Sequence, residues 1–300
     1  MPITIAYDIL RWEEKALIGK ADYLGIGLKL IHLNNTTLEL GMKGEIDVAL
    51  IRATSQYKAL ASSSALESSG VRTVNTVESL YATFDKLRTH SLLEKAGIPA
   101  PRTIIAFSQE SALSAAEELG YPVVVKPLHG SWGRLIALAN DKEALRSIVE
   151  YSQYIGPHGR VHYIQEYIDK PGRDIRTFCI GSSVPAGIYR VSREWITNTA
   201  RGAQSFPAKI TGELEDLTLR ACRAVGAEFA GVDIVEDKDR GFLVLEVNGV
   251  PEFKNTVRVT GVDLPGHLMT YLLELAQDYT RSPGIQRAEL DYTPLINLSR

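Results

Sequence analysis

The first 80 residues alternate between short apolar runs and helical stretches, and this alternation restricts the possible folds more than any other feature of the chain. The apolar runs are strand-like and lie at residues 3–8, 28–33, 46–52 and 71–75, with helical stretches at 11–24 and 55–68. Such alternation predicts a small parallel α/β sheet covered by helices. No G-x-G-x-x-G sequence follows the first strand, so the dinucleotide-binding motif of Rossmann domains is missing.

The pattern changes twice further along the chain. Helical stretches at 85–97, at 109–119 and from Asp141 alternate with strands up to residue 168, which predicts an α+β unit. From residue 173 onward, β-prone segments follow one another across short turns, which predicts an antiparallel sheet. The predicted organisation is an N-terminal Rossmann-like parallel α/β domain, a central small α+β domain, a C-terminal antiparallel-sheet α+β domain and a tail, over residues 1–85, 86–168, 169–280 and 281–300.

Composition excludes several classes of ligand. The chain has 33 basic and 36 acidic residues, a net charge of −3, so we expect no nucleic-acid partner. No apolar run approaches membrane-spanning length, and the first ten residues form a strand-like segment rather than a signal peptide. The two cysteines are too few for a disulfide framework. We therefore expect a cytoplasmic protein with no membrane partner.

Two β-prone segments near the C-terminus, FAGVDIV and FLVLEV, are joined by a polar turn and predict a hairpin. If Val235 pairs with Phe242, Asp233 lies one pleat step from Glu246 on the same face. Asn248 is two residues beyond Glu246 and shares that face as well. Three hard oxygen donors on one face suit Mg²⁺ with phosphate ligands. A solvated face with ordinary acidic residues is the alternative.

Cationic and glycine-rich segments accompany this hairpin in the sequence. Lys126 ends the strand PVVVK, and the loop HGSWG at 129–133 can bring its backbone close to an anion. No Walker A sequence is present. Taken alone, the loop is more typical of an ordinary glycine-containing hairpin beside a surface lysine than of an anion site. Arginines at 173, 176 and 190 bracket the acidic hairpin, which favours an anionic substrate over a merely solvated basic face.

The order of these motifs resembles one enzyme family. FDKLRT, KPLHGSWGRL, QEYI, GRDIR, WITNTARGA and LEVNGVPEFKNTV occur in sequence, and the similarity covers about residues 1–280. The chain resembles the ATP-grasp ligases, in particular the group that contains ribosomal-protein glutamate ligase. It is more similar still to the α-aminoadipate–LysW ligases, which serve lysine synthesis on an amino-group carrier protein.

The resemblance implies an ATP-grasp fold, ATP and Mg²⁺ as cofactors, and the carrier protein LysW and α-aminoadipate as partners. In that family, the C-terminal carboxylate of the carrier is phosphorylated by ATP, and the α-amino group of the amino acid then attacks the acyl phosphate. We also expect a homo-oligomer, either a dimer or a tetramer.

The resemblance also implies the roles of individual residues. Those expected to bind ATP are Lys86, Lys126, Gly130, Ser131, Trp132, Gly133, Gln165, Glu166, Tyr167, Ile168, Arg173, Asp174, Arg176 and Asn198. Arg190 and Asn198 are expected to act in catalysis. The amino-acid substrate is expected at Arg190, Thr199, Ala200, Glu252, Phe253, Lys254, Asn255 and Thr256. Mg²⁺ is expected at Asp233, Glu246 and Asn248.

Three other functions compete with this interpretation. The sister ligase loads glutamate onto the same carrier for arginine synthesis, a further group adds glutamate to other protein C-termini, and a nucleotide-binding regulator could retain the fold without catalysis. The Asn255-Thr256 pair resembles the Asn-Ser/Thr signature of the aminoadipate enzymes, where the glutamate enzymes carry Gly-Phe. This pair predicts a preference for aminoadipate, whereas a surface loop without substrate contact is the alternative.

Overall fold

The computed structural model describes residues 3–41, 46–130, 135–197 and 202–281. The described residues form two compact units. One comprises those of Met1–Leu80 and Pro265–Arg300, and the other those of Tyr81–Leu264. The boundaries predicted at residues 85, 168 and 280 stay predictions.

The first unit is built on a four-stranded parallel sheet with strand order β2-β1-β3-β4. Its strands are β1 (Ile3–Tyr7), β2 (Leu28–His32), β3 (Val48–Ile51) and β4 (Arg72–Val74). The helices along this part of the chain are α1 (Trp12–Leu24), α2 (Gln56–Ser68) and α3 (Val77–Phe84). Both Leu28 and Val48 pair in parallel with Ile3, so the predicted parallel α/β sheet is confirmed.

The second unit contains a four-stranded antiparallel sheet with strand order β5-β8-β6-β7. Its strands are β5 (Thr103–Ala106), β6 (Val123–Lys126), β7 (Ala137–Ala139) and β8 (His162–Glu166). Helices α4 (Lys86–Lys95), α5 (Gln109–Leu119) and α6 (Lys142–Ser152) accompany it. Val123 and Val125 pack against α5 and α6 in one apolar core. Because strand side chains alternate, Val124 and Lys126 lie on the opposite face of this sheet.

The same unit contains a five-stranded antiparallel sheet with strand order β11-β10-β9-β12-β13. Its strands are β9 (Arg173–Ile180), β10 (Ser183–Val191), β11 (Gln204–Pro207), β12 (Phe229–Asp237) and β13 (Gly241–Asn248). Helix α7 (Gly212–Ala224) covers one face, where Thr177 and Thr218 share a hydrogen bond of 2.7 Å. The other face carries Asp174, Arg176 and Asp233, so α7 leaves the charged side of the sheet open.

Two helices follow β13: α8 (Lys254–Thr260) and α9 (Leu264–Arg281). Helix α8 is followed by Gly261, which has the left-handed φ of 69° typical of a residue that terminates a helix. Within the described ranges, no helix is both long and apolar enough to cross a lipid bilayer.

Candidate active site

The faces of the two antiparallel sheets that the helices leave uncovered border one cleft. It holds about 830 Å³ of open space including its mouth. Its charged lining residues are Lys86, Lys126, Glu166, Lys170, Asp174, Arg190, Asp233 and Glu246. The remaining lining residues are Val124, Ile136, Gln165, Tyr167, Ile168, Trp195, Ile196, Thr197, Val235 and Leu245.

The acidic hairpin has a different register from the one the sequence predicted. Val235 pairs with Leu243 instead of Phe242, and the register shifts again between Asp233 and Ile234, because Leu245 forms a bulge. The observed pairing of Val235 is one residue away from the predicted one, and this shift alone would put Asp233 and Glu246 on opposite faces. The extra residue in the bulge returns them to the same face. Asp233 and Glu246 are therefore direct cross-strand partners, closer than the one pleat step that the sequence predicted.

Asp233 is held by two arginines, one on the adjacent strand β9 and one on β10. Arg176 forms a bidentate ion pair with it, and Nη2 of Arg190 lies 3.1 Å from Oδ1. Burial raises the pKa of Asp233, but the charges and hydrogen bonds of Arg176 and Arg190 lower it by more, so the pKa is below its usual value. The carboxylate is consequently ionised at neutral pH, and both of its oxygens contact guanidinium groups.

Arg190 belongs to a second buried ion pair across β9 and β10. Its Nε and Nη2 atoms each donate to Asp174 at 2.7 Å. Burial lowers the pKa of Arg190, but the carboxylates of Asp233 and Asp174 outweigh it, so the pKa is raised. Thr197 also donates to Asp174, and Lys170 donates to Thr197 at 2.7 Å. These contacts fix a row of alternating charges along the floor of the cleft.

The three predicted metal ligands offer oxygen donors of the kind that a hard cation prefers. Asn248 is two residues beyond Glu246, and its Nδ2 donates to the Gly231 carbonyl at 3.4 Å, which leaves Oδ1 as its donor atom for a metal. Nowhere in the described ranges do three His, Cys, Asp or Glu side chains cluster as a metal site. A cation here would have two carboxylates and one amide oxygen from the protein. Mg²⁺ is commonly bound in this way, with phosphates and water completing the shell.

Two lysines face this acidic pair. Nζ of Lys86, in the first turn of α4, lies 3.8 Å from Oε1 of Glu246 and donates to the Gly130 carbonyl at 2.8 Å. Lys126 ends β6 and donates to Oε1 of Gln165. Burial lowers the pKa of Lys126 to about 8, although the negative charge of Glu246 opposes this shift. A weakly hydrated ammonium group beside two carboxylates is suited to phosphate oxygens.

The remaining wall is aromatic and aliphatic. Ile168 packs with Val235 and Leu243, and Tyr167 contacts Trp195 edge to face at 6.5 Å between ring centroids. Glu166 accepts from Arg240 at 2.7 Å, so its carboxylate is engaged at the rim. Sequence reasoning missed Lys170, for which no motif gives a signal. It also assigned no role to Trp195 and Ile196, although these residues begin the segment WITNTARGA that carries part of the resemblance.

Several predicted site residues lie elsewhere. Arg173 pairs with Glu236 and lies over the ring of Tyr189, and Arg176 reaches the site only through Asp233. Segment 252–256 does not contribute to the cleft lining, as far as the described residues define it. Its Phe253 packs on Phe229, and its Thr256 is buried. Ser131, Trp132, Gly133, Asn198, Thr199 and Ala200 lie outside the described residues.

A buried histidine behind Lys126 should make stability depend on pH. Burial lowers the pKa of His90 from 6.5 to about 4, and the charge of Lys126 acts in the same direction. Between these pH values, the unfolded chain binds a proton that the folded chain excludes. The free energy of unfolding should therefore fall by about 3 kcal/mol as the pH drops from 7 to 4.

Urea denaturation of wild type and His90→Leu at several pH values tests this expectation. Both proteins share the titration of the carboxylates, whereas only the wild type carries the histidine contribution. Parallel pH dependences for the two proteins would show that His90 is protonated equally in the folded and unfolded states.

Comparison with known proteins agrees with this geometry. The family profile described as a RimK-like ATP-grasp domain matches residues 83–272, and the LysX preATP-grasp domain matches residues 3–81. The chain therefore belongs to the RimK-like ATP-grasp family. The crystal structure of a RimK domain ATP-grasp protein from Sphaerobacter thermophilus superposes with a TM-score of 0.73 at 26% identity, covering 91% of this chain and all of that one. The predicted ATP-grasp fold is thus confirmed.

Two curated relatives are similar over nearly their whole length. The α-aminoadipate–LysW ligase LysX of Sulfurisphaera tokodaii is 45% identical over 283 residues, which cover 91% of this chain and 99% of the relative. The glutamate–LysW ligase ArgX of Sulfolobus acidocaldarius is 36% identical over 91% of this chain and 98% of its own. The resemblance predicted from the motifs is confirmed.

Proposed function

We propose that this protein is an ATP-dependent carboxylate–amine ligase that joins the α-amino group of α-aminoadipate to the C-terminal glutamate of the carrier LysW in lysine biosynthesis. The observation that carries the proposal is the acidic pair Asp233–Glu246 facing Lys86 and Lys126 in one cleft. The 45% identity to an α-aminoadipate–LysW ligase supports the choice of substrate.

The reaction consists of two displacements. A carboxylate oxygen of the carrier attacks the γ-phosphorus of ATP, and ADP leaves. The amine nitrogen then attacks the acyl carbon, phosphate leaves, and the amine loses a proton to solvent. Both steps spread negative charge over phosphoryl oxygens, so positioned cations matter more than a nucleophilic side chain.

The described residues account for these requirements. Lys126 and Lys86 would bind phosphate oxygens from the side of the four-stranded sheet. Asp233, Glu246 and Asn248 would hold Mg²⁺, which supplies charge neutralisation when bound. Arg190, fixed by Asp174 and Asp233, would present its positive charge to the transferred phosphoryl group.

The apolar wall of the cleft suits the flat ring of a nucleotide base. Ile168, Val235 and Leu245 supply aliphatic contacts, and Tyr167 supplies an aromatic edge. This arrangement would exclude water from the base while the phosphates lie toward the charged floor. ATP is therefore expected to enter with its base toward the segment after β8.

Glutamate is the second candidate substrate, because the relatives include a glutamate–LysW ligase. Intact-mass measurement of the carrier separates the candidates. The protein, ATP, Mg²⁺ and LysW are incubated with aminoadipate or with glutamate, and the mass gained by LysW is measured. We expect an aminoadipate adduct that requires ATP. An unmodified carrier with either amino acid would contradict the proposal.

The pair Asn255 and Thr256 should set the choice between these amino acids. Aminoadipate is longer than glutamate by one methylene, and binding sites discriminate such pairs by about 1–3 kcal/mol, or roughly fivefold to 150-fold. We expect the wild type to prefer aminoadipate within this range and Asn255→Gly/Thr256→Phe to shift the ratio of kcat/KM toward glutamate.

Thermal unfolding must accompany this test, because Thr256 is buried and a larger side chain would strain its surroundings. Asn255→Gly alone, at a half-buried position, provides the control for packing. A folded double variant with an unchanged ratio would remove the pair from substrate selection.

A further inference from the structure

Gln165 lies at the centre of a polar cluster on the cleft-facing side of the four-stranded sheet. Tyr163 is the cross-strand partner of Lys126, and Gln165 is the partner of Thr103, so these four side chains share one face. Gln165 is only 2% exposed. Its Oε1 accepts from Lys126, and its Nε2 lies 2.9 Å from Oγ1 of Thr103 and 3.1 Å from the hydroxyl of Tyr163.

The orientation of this amide decides whether Lys126 faces a hydrogen-bond acceptor or two donors. The two ends of a glutamine amide are nearly identical in shape but opposite in hydrogen-bonding character. With Oε1 toward Lys126, the amide accepts from the ammonium group. Rotated by half a turn, it would place two N–H donors against a positive charge. The surroundings of Gln165 must therefore specify one orientation.

Thr103 specifies the orientation of the Gln165 amide on one side. Its hydroxyl donates to the Pro101 carbonyl at 3.1 Å. The single hydroxyl proton is thereby used, and Oγ1 can only accept from Gln165.

On the other side, the orientation of the amide is specified by Tyr163, whose hydroxyl also contacts His90. The imidazole of His90 lies against both side chains, with Nδ1 2.8 Å from the Tyr163 hydroxyl and Nε2 3.4 Å from Nε2 of Gln165. Whichever ring nitrogen carries the proton, the tyrosine oxygen keeps a lone pair that accepts from Gln165. When Nδ1 carries the proton, Nε2 of His90 accepts from Gln165 as well.

The result is a hydrogen-bond network in which Lys126 donates to Gln165, and the Gln165 amide donates to Thr103 and Tyr163. Burial keeps the pKa of His90 at about 4, so the imidazole stays neutral at neutral pH and places no positive charge beside the amide. The charged groups that act on Lys126 are Glu246 and Asp233, which favour its ammonium form, and Lys86 and Lys170, which oppose it.

We propose that Tyr163 and His90 are positioning residues that lock the Gln165 amide with its carbonyl toward Lys126, and thereby hold this lysine as the cation that binds the nucleotide phosphates. The inference rests on the proposed function for the contact between Lys126 and nucleotide. Neither Tyr163 nor His90 lines the cleft as the described residues define it, so both act through Gln165.

A double-mutant cycle with glutamate at position 165 isolates this role. Tyr163→Phe removes the acceptor that fixes the amide, and we expect it to weaken ADP binding about fivefold, the effect of one lost hydrogen bond. In Gln165→Glu, both ends of the side chain are oxygens, so its orientation no longer matters. Tyr163→Phe in that background should change ADP affinity less than twofold.

Calorimetry of ADP binding in magnesium-free buffer from pH 6.5 to 9.5 provides the measurement. Wild-type affinity should fall above about pH 8, where Lys126 loses its proton. In Tyr163→Phe this fall should begin at lower pH, because no fixed carbonyl stabilises the ammonium form. His90→Leu, which removes the hydrogen-bond partner of Tyr163, should shift affinity in the same direction. A purely structural role would leave the pH midpoint unchanged.

Tyr121→Phe is the matched control. The Tyr121 hydroxyl is buried beside the same sheet and makes no hydrogen bond within the described ranges, so its removal should leave ADP binding unchanged. Equal losses from Tyr163→Phe in the wild-type and Gln165→Glu backgrounds would overturn the inference, as would unaltered affinity in Tyr163→Phe. Failure of the wild type to bind ADP, or unweakened binding by Lys126→Met, would instead overturn the nucleotide assignment and the inference with it.

Discussion

Replacing Glu246 by Gln should lower the rate of ligation by about a thousandfold while leaving the fold intact. The substitution keeps the size of the side chain and removes one of the two carboxylates that face each other across β12 and β13. With half of that negative charge gone, the site should hold Mg²⁺ weakly. Glu246 is also only partly buried, so the amide can be accommodated without a large cost in stability.

The rate should be measured with saturating ATP over a range of Mg²⁺ concentrations, together with the calorimetric enhancement of ADP binding by Mg²⁺. Glu236→Gln is the control, because Glu236 lies on the same hairpin but pairs with Arg173 away from the cleft. We expect its rate to remain within about twofold of the wild type. Normal turnover and normal Mg²⁺ enhancement in Glu246→Gln would refute the proposed metal site.

Replacing Arg190 by Met should lower the free energy of unfolding by about 3–5 kcal/mol. Arg190 is the cation that Asp174 and Asp233 share, and its loss leaves these two buried carboxylates close together without it. Arg190 is one of the charges that lower the pKa of Asp233, so this pKa should rise in the variant. The loss of stability should therefore be greatest at neutral pH and smaller in acid. The measurement is urea denaturation at pH 7 and at pH 5.

Arg173→Met provides the contrast on the neighbouring strand. Arg173 also makes a bidentate pair, with Glu236, but its side chain is 37% exposed. Exposed pairs contribute about 0–1 kcal/mol, so this variant should be close to the wild type. Equal losses of unfolding free energy in Arg190→Met and Arg173→Met would show that burial does not make the Arg190 ion pair more costly to break.

The sequence predicted correctly that Asp233, Glu246 and Asn248 share one face of the hairpin, and it predicted the register of the hairpin incorrectly. Alternation along a strand places Glu246 and Asn248 together whatever the turn does, and apolar neighbours indicate that this face is enclosed. The bulge at Leu245 could not be predicted, because it depends on how two strands fit across the sheet. It nevertheless restored the approach of Asp233 and Glu246.

Contacts between distant segments account for most of what the sequence did not show. The pairing of Arg190 with Asp174 and Asp233 follows from the order of β10, β9 and β12 in the sheet. Arg176 looked like a direct ligand for nucleotide, whereas in the fold it restrains Asp233. His90 carried no motif signal, since its role depends on a strand more than 70 residues away.

Some secondary structure was also missed although a local signal existed. Helix α7 begins after Thr211, whose hydroxyl accepts from the backbone N–H of Leu214, and Leu214, Leu217 and Ala221 form its buried face. That spacing is typical of an amphipathic helix. Strand β11 has only four residues at the edge of its sheet, and so short a segment gives no periodic signal.

The central claim is that this cleft activates a carboxylate by transferring phosphate to it from ATP. Oxygen-18 placed in the C-terminal carboxylate of LysW tests this directly, because an acyl phosphate passes one labelled oxygen to the phosphate that leaves. After reaction with ATP, Mg²⁺ and aminoadipate, the inorganic phosphate is analysed by mass spectrometry. The account predicts one oxygen-18 atom per phosphate for every amide bond formed. Amide formation with unlabelled phosphate would contradict it.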